Sequence, residues 1–467
     1  MKRTNLACIS LLLSAYLFAG CSKPSVPKKM SFEDIQQATL DWNVKTLVTA
    51  YQNAGNSDPV WDKAAVQALM EFAKIRTQVV TPDEPWAEII DTNCDNAVKA
   101  GCNDPMVRYL YLRFGLSQTN TPKLFSDSYD ALESDMQKSD YPPVRKFYVS
   151  LRALQQFLYA HGYNNNSADY SIPGQLLNDA VSSLVAALND KTMPAEEGYE
   201  ACSELIKALP GDPNIFQSDY DKIEKPLFDN WPNEATSWLL KGHAYYLMGW
   251  IDRGSGNADT VTKQGFRGLD KNLAIAEKAL NRAWELNPTD ARTAVAMIRV
   301  ETGLGTERDQ MEIWFNRAME NDPDDYDACS AKLNYLEPKW FGSVEDMLEF
   351  GRECAQSTNW GGTVPLILVD AHYEIYNQYI DPSEQTNYWK EPDVWADIRS
   401  AYEQYLQSYP RDTYHIAYYA RYAYFAEQWD KLNELLPKVG PDNYYIFGGK
   451  DQFDEIVQIT KEHVSQQ

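Results

Sequence analysis

Apolar positions recur along this chain at intervals of three and four, and the stretch LAIAEKALNRAWELNPTD, Leu273 to Asp290, displays the rule. Leu273, Ala276, Leu280, Ala283 and Trp284 fall on one face of a helix with about 3.6 residues per turn. Glu277, Lys278, Asn281, Arg282 and Glu285 take the other face, so one side is buried and one is wet. Pro288 stops the helix, because proline has no N–H to donate and restricts the residue before it. The same period runs through PPVRKFYVSLRALQQFLYAHG (Pro142 to Gly162) and IPGQLLNDAVSSLVAALND (Ile172 to Asp190). The two-residue alternation of strands is essentially absent, so the pattern predicts an all-α chain. The Asn-rich YNNNSADYS, Tyr163 to Ser171, is the best loop or hinge.

The helices come in related pairs. In ATSWLLKGHAYYLMG, Trp238, Gly242 and Tyr245 stand at i, i+4 and i+7, with the glycine where a partner helix needs close approach. In the following helix Ala276, Leu280, Ala283 and Pro288 are spaced by four, three and five. Together these residues resemble the tetratricopeptide repeat, a pair of antiparallel helices with Trp, Gly and Tyr in the first and small, large, small and Pro in the second. IWFNRAMENDP repeats the end of the unit with Phe315, Ala318 and Pro323, and Pro288 to Pro323 is 35 residues, close to that repeat's period of about 34. Near the C-terminus YEQYLQSYP ends at Pro410 and leads into YHIAYYARYAYFAEQW, where Ile416, Ala420, Ala423 and Tyr424 form a packed stripe. Tyr418, Tyr422, Phe425 and Trp429 in the same segment also run at helical spacing, and they read as packing before they read as a binding platform.

The resemblance implies an all-α, tetratricopeptide-like helical-hairpin solenoid over residues 191–467, preceded by an irregular helical region at 31–190. One departure stands out: WIDRGSGNADTVTKQGFRGLDK places an inserted loop at 249–272 between the two helices of a pair. Residues 98–375 also resemble a bacterial domain family of unknown function, through KAGCNDPMVRYLYLRFG, RGSGNADTVTKQGF and LNYLEPKWFGSVEDMLEFGREC. That resemblance brings no assigned activity. It makes the inserted loop and the EPKWFGS turn features of a family.

The N-terminus gives an address. Lys2 and Arg3 precede an apolar run from Leu6 to Ala19, too short to span a bilayer, and Gly20-Cys21 follow. LFAGC resembles the lipobox of bacterial lipoproteins, with Phe18 where the family usually has Leu. The resemblance implies a signal peptide at 1–20, lipidation of Cys21, and a flexible tether at 21–30. Ser22 after the cysteine, by resemblance to enterobacterial lipoproteins, implies the outer membrane, facing the periplasm.

Charge narrows the partners. The chain carries a formal charge of −24, and loss of Lys2 and Arg3 makes the mature surface more negative still. Such a surface repels phosphate backbones, which argues against nucleic acid and leaves the N-terminal lipid as the sole membrane contact.

Cysteines and histidines supply little chemistry. Of seven cysteines, five remain beyond Cys21: Cys94, Cys102, Cys202, Cys329 and Cys354. Cys329 and Cys354 sit near neighbouring ends of an antiparallel hairpin turned by EPKWFGS, and in an oxidising envelope they are the disulfide candidate. Cys94 and Cys102 can meet only if Gly101 breaks their helix. The histidines at 161, 243, 372, 415 and 463 are scattered, so no metal site is expected, and no cofactor either. RGSGNADTVT, Arg253 to Thr262, has closely spaced glycines but lacks both phosphate-binding fingerprints and follows a helix, so it reads as an ordered flap. ENDPDDYD, Glu320 to Asp327, reads as helix capping. No hydrolase or metalloprotease signature appears, and no catalytic residue is nominated.

The repeat resemblance nominates a groove. In tetratricopeptide repeats the second, fifth, ninth and twelfth positions of each first helix reach the ligand. Here those places fall on Leu239, His243 and Tyr246; on Arg292, Val295 and Arg299; on Ser330 and Asn334; and on Tyr414, Arg421 and Tyr424. Arg292 and Arg299, seven residues apart and so on one face, are placed to hold a carboxylate jointly, or to pair with neighbouring Asp and Glu. Arg421 completes the expected partner-binding face. The first reading is a lipid-anchored envelope scaffold that binds a protein or peptide. The second is a small-ligand or glycan-binding lipoprotein that uses the flap and the aromatic residues. The third is an α-helical enzyme on envelope polymer.

Overall fold

The computed structural model describes residues 32–53, 57–77, 86–115, 122–161 and 174–465. The signal segment 1–20, Cys21, the tether 21–30 and the Asn-rich 163–171 lie outside them. Among the described residues the chain is helical, from Phe32–Val44 to Lys450–Ser465, with no strand. Among the described residues, most successive helices pack against one another.

The pair Ala235–Arg253 and Lys263–Leu286 shows how sequence sets this packing. Gly242 abuts Leu280, and seven residues further on Gly249 abuts Leu269. Advancing along one helix retreats along the other, so the pair is antiparallel. Leu273, Ala276, Leu280 and Ala283 are fully buried, as their spacing predicts. Trp238 and Tyr245 leave the pair and pack edge-on against Phe228 and Tyr220 of the preceding helix, Pro213–Asn230. Aspartates fix the helix starts: Asp104, Asp212, Asp290, Asp325 and Asp412 each accept backbone N–H groups of the first turn. Each such cap contributes about 1 kcal/mol.

The inserted loop is shorter than 249–272. Residues 249–253 continue one helix and 263–272 begin the next, so only 254–262 form the connection. The reason is that Gly249, Leu269 and Leu273 keep the two helices in contact past the length of an ordinary repeat. The connection itself folds as the Gly and Thr residues suggest. Gly254 turns at φ +83°, Arg253 donates to the carbonyls of Gly254 and Gly256, and Thr262 caps the next helix.

One buried cluster runs from Trp42 to Ile375 and a second from Ala355 to Ile456, and they overlap in sequence around the helix Ile367–Gln378. The boundary expected at 190 therefore marks no break in packing.

The expected Cys329–Cys354 disulfide is not formed. All five described cysteines are buried free thiols. Cys329 and Cys354 do meet, within hydrogen-bonding reach of one another, as the hairpin argument requires. The Cys329 thiol is directed instead to Met319 Sδ at 3.8 Å. Gly101, at φ +104°, does break the helix after Lys99, and Cys94 and Cys102 stay unbridged as well.

Candidate functional site

The helices that build the C-terminal cluster present two faces each. In Thr413–Phe425, Ile416, Ala417, Ala420 and Ala423 point into the core. The opposite face carries Tyr414, Tyr418, Arg421, Tyr422 and Phe425, four residues apart or nearly so. In Ile367–Gln378 the core takes Ile367, Leu368, Ala371 and Ile375, leaving Asp370, Tyr373, Tyr376 and Asn377 on the other side. These two outward faces enclose a cavity of about 790 Å³, closed by Tyr326, Tyr402 and Trp389.

Half of its lining is aromatic. Trp389 packs on Tyr376 and Tyr422 with ring centres 5.1 and 5.0 Å apart, and Tyr414 meets Tyr418 edge-on at 5.0 Å. Polar groups alternate with the rings: Asp370, Asn377, Gln385, Thr386, His415 and Arg421. The Tyr326 hydroxyl donates to Asp370 Oδ2 at 2.7 Å. Burial nevertheless pushes the Asp370 carboxyl up to about 6. His415 Nδ1 is held 2.7 Å from Asp412 Oδ2, and the Arg421 guanidinium lies over Phe425. Several rings are open to solvent, with Tyr373 52% and Tyr414 44% exposed. Tyr418 and Tyr422 do pack against the second buried cluster, as their spacing predicts, and with Phe425 they also form a wall of the cavity. Helical spacing marks a shared face without saying what covers it. Trp429 alone leaves the stripe, stacking on His463.

A second cavity, about 370 Å³, lies between Ala195–Ala208, Ala235–Arg253 and Ala291–Leu304. It brings together five of the nominated residues: His243, Tyr246, Arg292, Val295 and Arg299. Arg292 pairs with Asp290 at 2.8 Å and with Glu196, and lies over the Tyr199 ring. Among the described residues, the carboxylate within ion-pair distance of Arg299 is Asp327, at 3.8 Å. Burial, with Arg299 next, lowers the His243 imidazole to about 4 and keeps it neutral.

A third cavity of about 260 Å³ is lined by Arg76, Arg113 and Arg152, with Tyr109, Tyr148 and Gln155. Glu200 lines both this cavity and the second. Asp325 and Asp327 of the second flank Tyr326 of the first. The three hollows are therefore consecutive.

The nominated groove divides accordingly. Tyr414 and Arg421 belong to the aromatic cavity, so the three arginines do not share one pocket. Asn334 lines none of the three; its amide donates to Glu337 Oε1 at 2.7 Å. Leu239 is core, and Tyr424 turns to Trp429. No residue of 249–272 borders these cavities, so the flap covers none of them. Sequence reasoning missed Asp370, Tyr373, Tyr376 and Trp389, whose helices follow no repeat consensus. The polar and aromatic face of Ile367–Gln378, opposite an aliphatic one, was the signal available.

No family model matches the chain, and no curated protein matches it. Among solved structures, the chain is similar to the human IFIT1 dimer with m7Gppp-AAAA, with a TM-score of 0.28 and 11% identity, covering 88% of this chain and 89% of that one.

Proposed function

We propose that this chain is a lipid-anchored binding protein of the bacterial envelope, and that its ligand is an oligosaccharide held in the aromatic cavity. The observation that carries the ligand class is the alternation of ring faces with hydrogen-bonding side chains around one solvent-open cavity. Sugar rings present C–H faces that stack on aromatic rings, and hydroxyls that need both donors and acceptors. Trp389, Tyr414 and Tyr422 supply faces; Asp370 and Asn377 accept, while Arg421 and Gln385 donate. The volume falls within the range of about 300–1,000 Å³ usual for compact ligands. The resemblance of LFAGC to a lipobox supports the envelope address, with Cys21 as the acylated residue.

The test is titration calorimetry with chitotetraose and maltotetraose. Binding of either, lost in a Tyr414→Ala, Tyr422→Ala variant that keeps its helicity, supports the reading. Binding unchanged in that variant, or no heat from any pyranose oligomer, contradicts it. A Cys21→Ser chain expressed in the bacterium should appear in the soluble envelope fraction, and retained membrane association would remove the anchor.

A peptide is the second reading, favoured by one observation. Among the described residues Arg299 has one long ion pair, to the exposed Asp327, and keeps guanidinium donors for a carboxylate in the second cavity. Capture of carboxylate-ended peptides that is abolished by Arg299→Gln, without sugar binding, would favour it.

A further inference from the structure

The third cavity lies far along the chain from the aromatic one and carries its own chemistry. Its floor is an unusual buried charge cluster. Arg76, at the end of the helix Asp62–Ile75, donates to Tyr148 Oη at 2.6 Å and to Glu197 Oε1 at 2.9 Å. The Tyr148 hydroxyl donates to the same carboxylate oxygen at 2.7 Å. Behind them Arg145, 1% exposed, donates to Asn43 Oδ1 and Thr46 Oγ1, both neutral. Its Nε and Nη1, and Nε of Arg76, are buried without a hydrogen-bond partner. The half-buried Arg76 and the buried Arg145 thus have one carboxylate between them, Glu197, and the floor keeps a positive excess.

The mouth adds more. Arg113 of Pro105–Phe114 donates to Tyr109 Oη at 2.7 Å, and Arg152 of Pro143–Ala160 donates to Gln155 Oε1 at 3.3 Å. Neither has a carboxylate within ion-pair distance among the described residues. Two carboxyls, Glu200 and Glu204, line the opposite wall. Glu204 pairs with Lys207 at 3.3 Å. Burial, then the nearby Glu196, raises the Glu200 carboxyl and eases its protonation. Four guanidiniums, Arg76, Arg113, Arg145 and Arg152, therefore stand with three carboxyls, Glu197, Glu200 and Glu204, in a chain whose overall balance is 43 basic to 67 acidic residues. Acidic proteins gather guanidiniums without carboxylate partners at a cost, since like charges repel and buried donors go unsatisfied. A bound oxyanion offsets both terms: it neutralises the excess and accepts several N–H groups from guanidinium forks.

We propose that this cavity is an oxyanion site, built for a phosphate, sulfate or carboxylate group of a small molecule and held by Arg76, Arg113 and Arg152. The free inorganic ion and the acidic group of a sugar offer the same chemistry, and the volume of about 260 Å³ admits either. The site stands independently of the reading given to the aromatic cavity.

The test measures the thermal midpoint and titration calorimetry of the full chain with sodium phosphate, sodium sulfate and sodium glucuronate, against sodium chloride at equal ionic strength. Saturable binding of at least one oxyanion, weakened at least about tenfold in an Arg113→Gln, Arg152→Gln variant, supports the site. Both substitutions lie at the cavity mouth, and circular dichroism reports whether the fold is kept. If that variant does not fold, Glu200→Gln serves instead; the site then predicts tighter oxyanion binding, and unchanged or weaker binding overturns it. Binding of glucuronate alone identifies the sugar's acidic group as the ligand, and binding of phosphate or sulfate alone identifies the free ion. Midpoints indistinguishable from chloride for all three, or binding indifferent to both variants, overturn the proposal.

Discussion

Gly242 faces Leu280 across the helix pair so closely that a Cβ on the glycine would lie 2.5 Å from Leu280 Cγ. Leu280 is fully buried and borders the second cavity with Gly242, so contact and cavity depend on one another. Adding a methyl group here is overpacking, and Gly242→Ala should destabilise the chain by about 1–3 kcal/mol in urea unfolding. Leu280→Ala should cost about 2–5 kcal/mol by leaving a void. In the double variant the new methyl group enters the void, so the two costs should not add. Additive costs would show that these residues are not the contact that sets the helix spacing.

Asp370 gives a pH dependence with a definite sign. Its carboxyl, raised by burial from 3.8 to about 6, keeps a proton in the native chain after the unfolded chain has lost its own. Stability from this group is fully present below about pH 4 and is lost as pH rises through about 6. Unfolding of the Asp370→Asn variant, compared with the parent across that window, should lose this downward slope. Parallel curves for the two proteins would place Asp370 in an ordinary solvated environment.

The cysteines yield a chemical prediction. Cys329 and Cys354 touch but are buried, and burial, reinforced by Cys329, raises the Cys354 thiol well above its usual range. The thiolate is the species that reacts, so exchange at this site is slow even in an oxidising compartment. Iodoacetamide should leave both residues unmodified in the native protein and modify both after denaturation. A peptide linked through 329 and 354 under non-reducing conditions would contradict this and restore the bridge.

Much of the fold was legible because it rests on period and spacing. Gly242, Ala276 and Leu280 encode a close helix pair by residue size alone, and the structure packs them so. The length of the connection at 254–262 was not legible, since the helices outrun the repeat through contacts at Gly249 and Leu269 that no consensus contains. The site was half legible. His243, Tyr246, Arg292 and Arg299 converge because they occupy equivalent turns of adjacent first helices. Arg421 occupies an equivalent turn too, but its helix belongs to the second buried cluster and looks into a different hollow. The packing of Tyr418 and Tyr422 was legible and the cavity they also line was not, because a sequence gives the face of a helix and not the distance to its neighbour. Arg76, Arg113 and Arg152 come from three helices without a shared motif, and only the tertiary fold joins them.

The central claim is that the aromatic cavity between Ile367–Gln378 and Thr413–Phe425 holds the ligand. Hydrogen exchange of the full chain, with and without saturating chitotetraose or maltotetraose, tests it most directly. Exchange should slow chiefly in those two helices and around Trp389, with Ala235–Arg253 and Ala291–Leu304 unchanged. Protection confined to the helices around Arg292 and Arg299, or no protection anywhere, would contradict it.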